Sequence, residues 1–308
     1  MAAKAKSKAK KSTRKPVRST RTSQRGAPAT RGNGASRDLL ARLADGAVVC
    51  AEGYVFELER RGYLQAGSFV PEVLFEHPEV VEQLHMDFVH AGSDVTQALT
   101  YYVHREKLRV IGREKDLVPM NRAALGIAKR VARRTGTLFA GDLCNTNIYD
   151  PADSKAIKEV ERIFDEQVGW AVEAGVDYFV AETLGWVGEA QIALKAIRRQ
   201  SKVPAVVTFA MHQEELTRDG LTPAQACQRM EEAGADVVGL NCHRGPRTML
   251  PLLKEIRAAA HPRARRESRP PSAGEPLQQG HVEARLLRHR QADPPDPDRL
   301  SRQGLSTV

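Results

Sequence analysis

Residues 233–243 read Ala-Gly-Ala-Asp-Val-Val-Gly-Leu-Asn-Cys-His, which predicts a helix end, a buried strand and a cysteine where that strand ends. Glycine directly after an amphipathic segment is typical of a helix C-terminus. The same phrase occurs as Ala-Gly-Ser-Asp at 91–94 and as Ala-Gly-Val-Asp at 174–177, each time between an amphipathic segment and an apolar run. These repeated helix-to-strand junctions indicate a chain built from βα units.

Short apolar runs alternate with amphipathic segments along the middle of the chain. Runs that are apolar on both faces are typical of parallel strands covered by helices. No Gly-x-Gly-x-x-Gly sequence follows any of them, which favours a (β/α)8 TIM barrel over a doubly wound nucleotide-binding fold. Because about six βα units are recognisable, we predict an α/β barrel of this type that is incomplete. The predicted strands are 47–51, 94–99, 138–143, 178–182, 204–209 and 237–241, and the predicted helices include 79–90, 154–173 and 222–232.

The two ends of the chain differ from the middle in composition. Residues 1–37 contain 12 Lys and Arg residues and no Asp or Glu, and residues 261–308 contain 7 of the 17 prolines and no lysine. Neither end has enough large apolar side chains to offset the entropy lost on folding, so both are predicted to be disordered tails. Residues 38–260 are then the predicted barrel domain.

Charge and hydropathy exclude several classes of protein. The net charge of +9 arises from the ends, whereas the middle is mildly acidic, which argues against a nucleic-acid-binding core. Only the basic segment 1–37 is expected to bind polyanions, and without sequence specificity. No apolar run reaches the ~20 residues that span a bilayer, and no secretory signal is recognisable. The 4 cysteines do not suggest a disulfide framework, which favours a reducing, cytoplasmic setting.

Polar and thiol side chains follow the predicted strands at their C-terminal ends. This rim is where TIM barrels carry their active sites, so these side chains are the candidate functional residues. They are Glu52, Thr100, Tyr101, Tyr102, Asp142, Cys144, Asn145, Asn147, Glu182, Thr183, His212, Asn241, Cys242 and His243.

The run Gly-Tyr-Val-Phe-Glu-Leu-Glu-Arg-Arg-Gly-Tyr at 53–63 resembles the start of betaine–homocysteine S-methyltransferases, a branch of the homocysteine S-methyltransferase family. The resemblance covers roughly residues 46–257. It implies a zinc-dependent barrel that transfers a methyl group from betaine or a related donor to homocysteine, giving methionine. Its other motifs are His77-Pro78-Glu79, Thr100-Tyr101-Tyr102 with Lys107-Leu108, Ala181-Glu182, and Gly239-Leu240-Asn241-Cys242-His243.

The resemblance assigns roles to five residues. Cys242 is the implied zinc ligand, and Glu182 is implied to hold the amino group of homocysteine. Thr100 and Tyr102 are implied to line the pocket for homocysteine and the donor, where an aromatic face suits a trimethylammonium group through cation–π attraction. The family's Asp-Gly pair after the first strand reads Ala-Glu here, so Glu52 is the expected substitute.

The sequence does not identify the zinc ligands other than Cys242. The resemblance implies two adjacent cysteines near the last strand, but no cysteine follows Cys242. Cys50 and Cys144 could join Cys242 in a replacement site if all three sulfurs converge. Adjacent strand residues face opposite sides, so His243 is not expected to share a metal with its neighbour, and Cys227 is expected to pack in a helix as core. His212 is expected to be a loop residue.

Two functional alternatives accompany the methyltransferase prediction. The chain could be a catalytically inactive remnant of the family, since strands beyond the sixth are not recognisable. It could instead act as an interaction protein that binds polyanions through residues 1–37. The resemblance also leaves a homo-oligomer open.

Overall fold

Short parallel strands alternate with helices along most of the chain. The computed structural model describes residues 38–64, 70–211, 215–242 and 245–259, which belong to one compact unit. Within these ranges the strands are β1 (Val95–Gln97), β2 (Leu138–Cys144), β3 (Tyr178–Leu184), β4 (Ala205–Phe209) and β5 (Val237–Leu240). They pair in parallel in the order β1-β2-β3-β4-β5, so the predicted α/β architecture with neighbouring parallel strands is confirmed.

Helices connect and cover the strands, and their ends follow the predicted signals. They are α1 (Leu39–Asp45), α2 (Tyr54–Arg60), α3 (Val73–Glu76), α4 (Pro78–Ala91), α5 (Arg105–Val110), α6 (Leu117–Thr135), α7 (Ser154–Ala174), α8 (Val187–Gln200), α9 (Pro223–Glu232) and α10 (Pro246–Ala259), with a 3-10 turn at Glu114–Asp116. The side chain of Asp153 caps α7, and Thr222 forms a capping box with Gln225 at the start of α9. Gly92 and Gly175 end α4 and α7 with left-handed backbones, at φ 109° and 76°.

The strand side chains alternate between two faces of the sheet. The outer face packs against α6 to α10 in the largest apolar cluster. Its strand members are Phe139, Leu143, Phe179, Ala181, Leu184, Ala205, Val207, Phe209, Val238 and Leu240. The inner face contributes Val95, Leu138, Ala140, Tyr178 and Val237 to a second cluster, which α1 covers. Both faces are thus apolar over the N-terminal part of the strands.

The first predicted strand, 47–51, is wrong. This segment is irregular. It nevertheless forms hydrogen bonds with Ser93 and Asp94, the two residues that precede β1. The Val49 N–H donates to the Asp94 carboxylate at 3.0 Å, and the Ala51 N–H donates to the Ser93 hydroxyl at 3.2 Å. One backbone bond is also present, from the Asp94 N–H to the Val49 carbonyl at 2.7 Å. Side chains thus take two bonds that a strand ladder would make with backbone, which is how Ser and Asp compete with regular structure.

The sheet does not close among the described residues, since β1 and β5 are its two edge strands. The predicted incomplete barrel thus corresponds here to a sheet of five strands rather than six. No helix in the described ranges combines the length and apolar character that crossing a bilayer requires. The predictions for residues 1–37 and 261–308, and those for His212 and His243, fall outside the described residues.

Candidate functional site

A cavity of about 920 Å³ lies at the C-terminal ends of the strands. This volume is sufficient for two small ligands side by side, since small-molecule sites commonly span roughly 300–1,000 Å³. Its lining includes side chains from the strands, from α2 and α8, and from the segments that precede α2 and follow each strand: Glu52, Arg60, Gln97, Tyr101, Tyr102, Asp142, Tyr149, Glu182, Thr183, Trp186, Glu189, Arg218 and Cys242. The structure thus brings most of the described strand-end candidates to one cavity, but Thr100, Cys144 and Asn241 are not among its lining residues.

Glu182 is the best-positioned side chain of the cavity. Its two carboxylate oxygens accept hydrogen bonds from different strands, at 2.8 Å from the Gln97 amide of β1 and at 2.9 Å from the Asn241 amide after β5. Because β1 and β5 lie on either side of β3, these bonds fix the carboxylate from both directions across the inner face. A buried carboxylate held in this way is preorganised to receive a cationic group.

The hydrogen bonds from Gln97 and Asn241 form a clamp on Glu182, and two residues next to this clamp adopt left-handed backbones. Thr183 has φ 59° and Cys242 has φ 56°, a region that β-branched residues in particular avoid. Asn241 stabilises the arrangement, because its amide donates to the Thr183 hydroxyl at 2.8 Å and its carbonyl accepts from the Thr183 N–H at 2.9 Å. The Thr183 hydroxyl lies 3.8 Å from the Cys242 sulfur. Strain of this kind at a strand end is typical of sites where a side chain is held in one orientation for function.

Three carboxyl groups crowd the inner end of the cavity. Asp142 and Glu182 are buried and hydrogen bonded to each other. Burial raises the pKa of both, and the charge of Glu182 raises the pKa of Asp142 further, well above its usual range. Burial and the charge of Glu182 raise the pKa of Glu52 to about 8. The second oxygen of Asp142, Oδ1, is buried and has no hydrogen-bond partner among the described residues. Glu182 thus has two amide donors, whereas one oxygen of Asp142 lacks a donor among the described residues.

The predicted aromatic and hydroxyl residues separate into two groups. Tyr102 lines the cavity beside Tyr101, with ring centroids 4.4 Å apart, and the ammonium of Lys107 lies 3.9 Å from the Tyr102 centroid. One face of Tyr102 is therefore already in contact with a cation. Thr100 is not among the residues that line the cavity. Its hydroxyl donates to the Asp142 carbonyl at 2.8 Å, so its position does not support direct contact with a ligand.

The four cysteines do not converge. Only Cys242 lines the cavity, where burial of its sulfur and the nearby carboxylates raise the thiol pKa to about 11. The Cys144 sulfur is buried and accepts the Tyr102 N–H at 3.3 Å, and the Cys50 sulfur lies 3.8 Å from the Tyr178 hydroxyl. In the described ranges no three His, Cys, Asp or Glu residues are placed to hold a metal, so the replacement site of three thiols is not formed.

Cys227 is a core residue, as predicted. It lies in α9, is 1% exposed and packs in the cluster on the outer face of the sheet.

A profile of the homocysteine S-methyltransferase family matches residues 48–292. The chain belongs to this family. Betaine–homocysteine S-methyltransferase 1 of Xenopus tropicalis is 37% identical over 245 residues, which are 77% of this chain and 60% of the relative, so the chain spans well under two thirds of that relative. The same enzyme from Sus scrofa is 37% identical over 77% of this chain and 86% of the relative. S-methylmethionine–homocysteine S-methyltransferase of Pongo abelii is 35% identical over 72% of this chain and 59% of its own length.

A solved structure shows the same fold at low identity. The homocysteine methyltransferase of Escherichia coli in its metallated form superimposes with a TM-score of 0.63 at 19% identity, over 72% of this chain and 83% of that chain. The likeness confirms the barrel-type architecture of this homocysteine S-methyltransferase family member.

Several cavity residues were not predicted as site residues. Gln97 was assigned only to a strand, although a glutamine in an apolar strand is itself a signal, because a buried amide needs partners. Asp142 is among the predicted strand-end candidates without an assigned role, and it gives a stronger signal of the same kind, since a carboxylate inside the run 138–144 has to be paired or neutral. Tyr149, Trp186 and Arg218 lie in loops, and nothing in their sequence context indicates that they face the cavity.

Proposed function

We propose that this chain transfers a methyl group from betaine or a related donor to the sulfur of homocysteine, giving methionine. The observation that carries the proposal is the Glu182 carboxylate, clamped by Gln97 and Asn241 beside the thiol of Cys242 in one cavity. Membership of the homocysteine S-methyltransferase family and the likeness to relatives named for betaine and for S-methylmethionine support it.

The carboxyl groups of the cavity form the binding site for the amino group of homocysteine. An ammonium has three donors, and Glu182 offers oriented oxygens while Asp142 offers an oxygen without a partner among the described residues. A cation here offsets the charge of Glu182, which raises the pKa of Asp142 and of Glu52. Glu52, expected from the sequence as a substitute for aspartate, lines the same cavity and adds a third carboxyl to this ammonium site.

The transfer itself forms one bond and breaks one. The homocysteine sulfur forms an S–C bond as the donor's C–N or C–S bond breaks, and the electron pair of that bond stays on the leaving atom. A free thiol is mostly protonated at neutral pH, so its proton must be accepted before or during attack. Burial and the charge of Glu182 raise the pKa of Glu52 to about 8, so its affinity for a proton approaches that of a thiol and Glu52 is the proposed proton acceptor.

The family resemblance implies zinc, which would lower the pKa of a bound thiol. A catalytic zinc usually has three protein ligands. Cys242 is one suitable donor at the cavity, but the described residues supply no group of three metal-binding side chains. Among the described residues, the side chains present therefore do not fit a complete zinc site.

The lack of three metal-binding side chains among the described residues favours a second candidate. It is a catalytically inactive family member that binds homocysteine without methylating it. Such a protein would keep the ammonium site at Glu182 but would lack activation of the thiol. The two candidates make the same prediction for binding and opposite predictions for turnover and metal content.

The test uses the purified full chain with L-homocysteine and either betaine or S-methylmethionine, and follows methionine by mass spectrometry and zinc content by elemental analysis. We expect methionine with at least one donor, and an affinity for homocysteine that falls about 100-fold in Glu182→Gln, since a charge-assisted pair is lost from a buried site. Glu166→Gln is the matched control, because Glu166 pairs with Arg105 outside the cavity lining. Binding without methionine, together with less than one zinc per chain, would establish the inactive candidate, whereas no homocysteine binding would exclude both.

A further inference from the structure

Arg218 is a cation of the cavity that the proposed reaction has not used. It follows β4, lines the cavity and is exposed. Its charge is close enough to Glu189, another lining residue, to lower the pKa of that carboxyl against the larger effect of burial. The Glu189 carboxylate is meanwhile hydrogen bonded to Thr146, at 2.7 Å from its N–H and 2.6 Å from its hydroxyl. In the part of the chain that the structure describes, the Arg218 guanidinium has no hydrogen bond and no ion pair.

The backbone around Arg218 is fixed by its neighbours. The Arg218 N–H donates to the Gly185 carbonyl at 2.8 Å. The carboxylate of the next residue, Asp219, accepts the Val187 N–H at 2.9 Å at the start of α8. The backbone that carries this guanidinium is thus held against the loop after β3, so less backbone entropy is lost when a ligand binds.

Tyr149 lies close to the start of α8, and together with Arg218 and the loop after β3 it forms the far wall of the cavity. Its hydroxyl lies so close to Gly188, in the first turn of α8, that a Cβ on that residue would overlap it. Its ring contacts the Trp186 ring at a centroid distance of 5.7 Å, and both rings line the cavity. Arg218 therefore stands beside an aromatic pair, an environment that suits a small ligand with both charged and methylated parts.

The second guanidinium of the cavity provides a contrast. Arg60 on α2 also lines the cavity, but both arms of its fork bind Glu57, with Nε at 2.9 Å and Nη2 at 2.6 Å from the two oxygens. That bidentate pair satisfies the geometry for which a guanidinium is suited. Of the two arginines, Arg218 is the one whose fork is available to a ligand.

We propose that Arg218 binds the carboxylate of a zwitterionic ligand in this cavity. The inference rests on the proposed function, because homocysteine and betaine each carry a cationic group and a carboxylate. The carboxyls around Glu182 attract the cationic group and repel the carboxylate, so a second, positively charged subsite is required to hold the other end. Arg218 then selects for the carboxylate of the amino acid or of the methyl donor, and ligands without it lose that contact.

The test measures binding by calorimetry for two pairs of ligands. L-homocysteine is compared with 3-mercaptopropylamine, which lacks its carboxylate, and betaine is compared with choline, in which a hydroxymethyl group replaces the carboxylate. In Arg218→Gln we expect about a tenfold loss of affinity for one of the two carboxylate ligands and no change for its analogue. Arg218→Lys should recover part of the loss, since it keeps the charge without the fork. Arg229→Gln is the matched control and should leave all four affinities within about twofold, because Arg229 is exposed on α9 and does not line the cavity.

The outcomes separate the two proposals. The ligand pair that responds identifies whether the amino acid or the donor supplies the carboxylate. If the wild-type chain binds homocysteine and betaine and Arg218→Gln binds them equally well, this inference is wrong and the proposed function stands. An equal loss for the carboxylate-free analogues would mean that Arg218 supports the wall instead, and it too would overturn the inference. A wild-type chain that binds none of the four ligands would overturn the proposed function, and the inference with it.

Discussion

The two faces of the sheet differ at the C-terminal ends of the strands. On β3, Phe179 and Ala181 point into the helices and are fully buried, while the inner-face residues run from Tyr178 through half-buried Val180 to the carboxylate of Glu182. These outer-face residues of β3 are apolar, whereas the inner face changes from apolar to charged between Tyr178 and Glu182. Packing and ligand binding are thus assigned to alternate residues of the same strands, so they respond to different substitutions.

The largest effect is expected at Asn241, which joins the inner ends of β3 and β5. Asn241→Ala leaves one oxygen of Glu182 and two polar groups of Thr183 without their partners in a buried environment. We expect a loss of about 3 kcal/mol in the free energy of unfolding, since each unsatisfied buried group costs roughly 1–3 kcal/mol. Denaturant unfolding followed by circular dichroism measures it.

Asn145→Ala is the matched control for this substitution. Asn145 is half-buried and donates one hydrogen bond, at 3.1 Å to the Thr183 carbonyl, so its removal should cost about 1 kcal/mol. Equal losses in the two variants would show that the clamp on Glu182 contributes no special stability, and that the inner face differs from the outer face only in polarity.

Most of this fold could be predicted from the sequence because its signals are local. The caps at Asp153 and Thr222 and the left-handed glycines after α4 and α7 act through neighbouring residues, and the helices begin and end close to the predicted positions. The segment 47–51 shows the limit of such reasoning. Its composition suits a strand, but whether it pairs depends on Ser93 and Asp94, which are far from it in sequence.

The site was predictable only in part, for a related reason. Strand-end position identified Glu182, Glu52, Tyr102 and Cys242 as candidates, and the structure brings all four to one cavity. The clamp and the far wall depend on side chains that meet across three strands or between two loops. Arg218, for instance, reaches the cavity because its N–H binds Gly185 and its neighbour caps α8, and neither contact can be read from the sequence around it.

A smaller effect is expected from a pair of adjacent valines in β4 that point to opposite faces. Val207 is fully buried on the outer face, and Val206 is half-buried on the inner face. Val207→Ala should lower the free energy of unfolding by about 2 kcal/mol through lost burial and an unfilled cavity, and Val206→Ala by less than about 1 kcal/mol. Each variant serves as the other's control, because strand, chemistry and volume are the same. A larger loss for Val206 would contradict the assignment of packing to the outer face.

The smallest effect concerns the dependence of stability on pH at the charged end of the inner face. Burial and Glu182 raise the pKa of Glu52 from 4.5 to about 8, so its contribution to stability is complete below pH 4.5 and is lost as the pH rises through 8. Glu52→Gln should therefore reduce the loss of stability between pH 5 and 8 by about 1 kcal/mol, less than the shift alone implies because Glu182 titrates together with it.

Glu57 on α2 provides the control with the opposite sign. Arg60 and Arg61 lower its pKa to about 2, so its contribution is present above pH 4.5 and is lost as the pH falls toward 2. Glu57→Gln should leave the change in the free energy of unfolding between pH 5 and 8 as it is in the wild type. It should alter stability only at acidic pH, below 4.5. If Glu52→Gln leaves the change between pH 5 and 8 unaltered as well, Glu52 is ionised at neutral pH without cost. The charged end of the inner face would then be open to solvent rather than enclosed, and Glu52 could not accept the thiol proton in the way proposed.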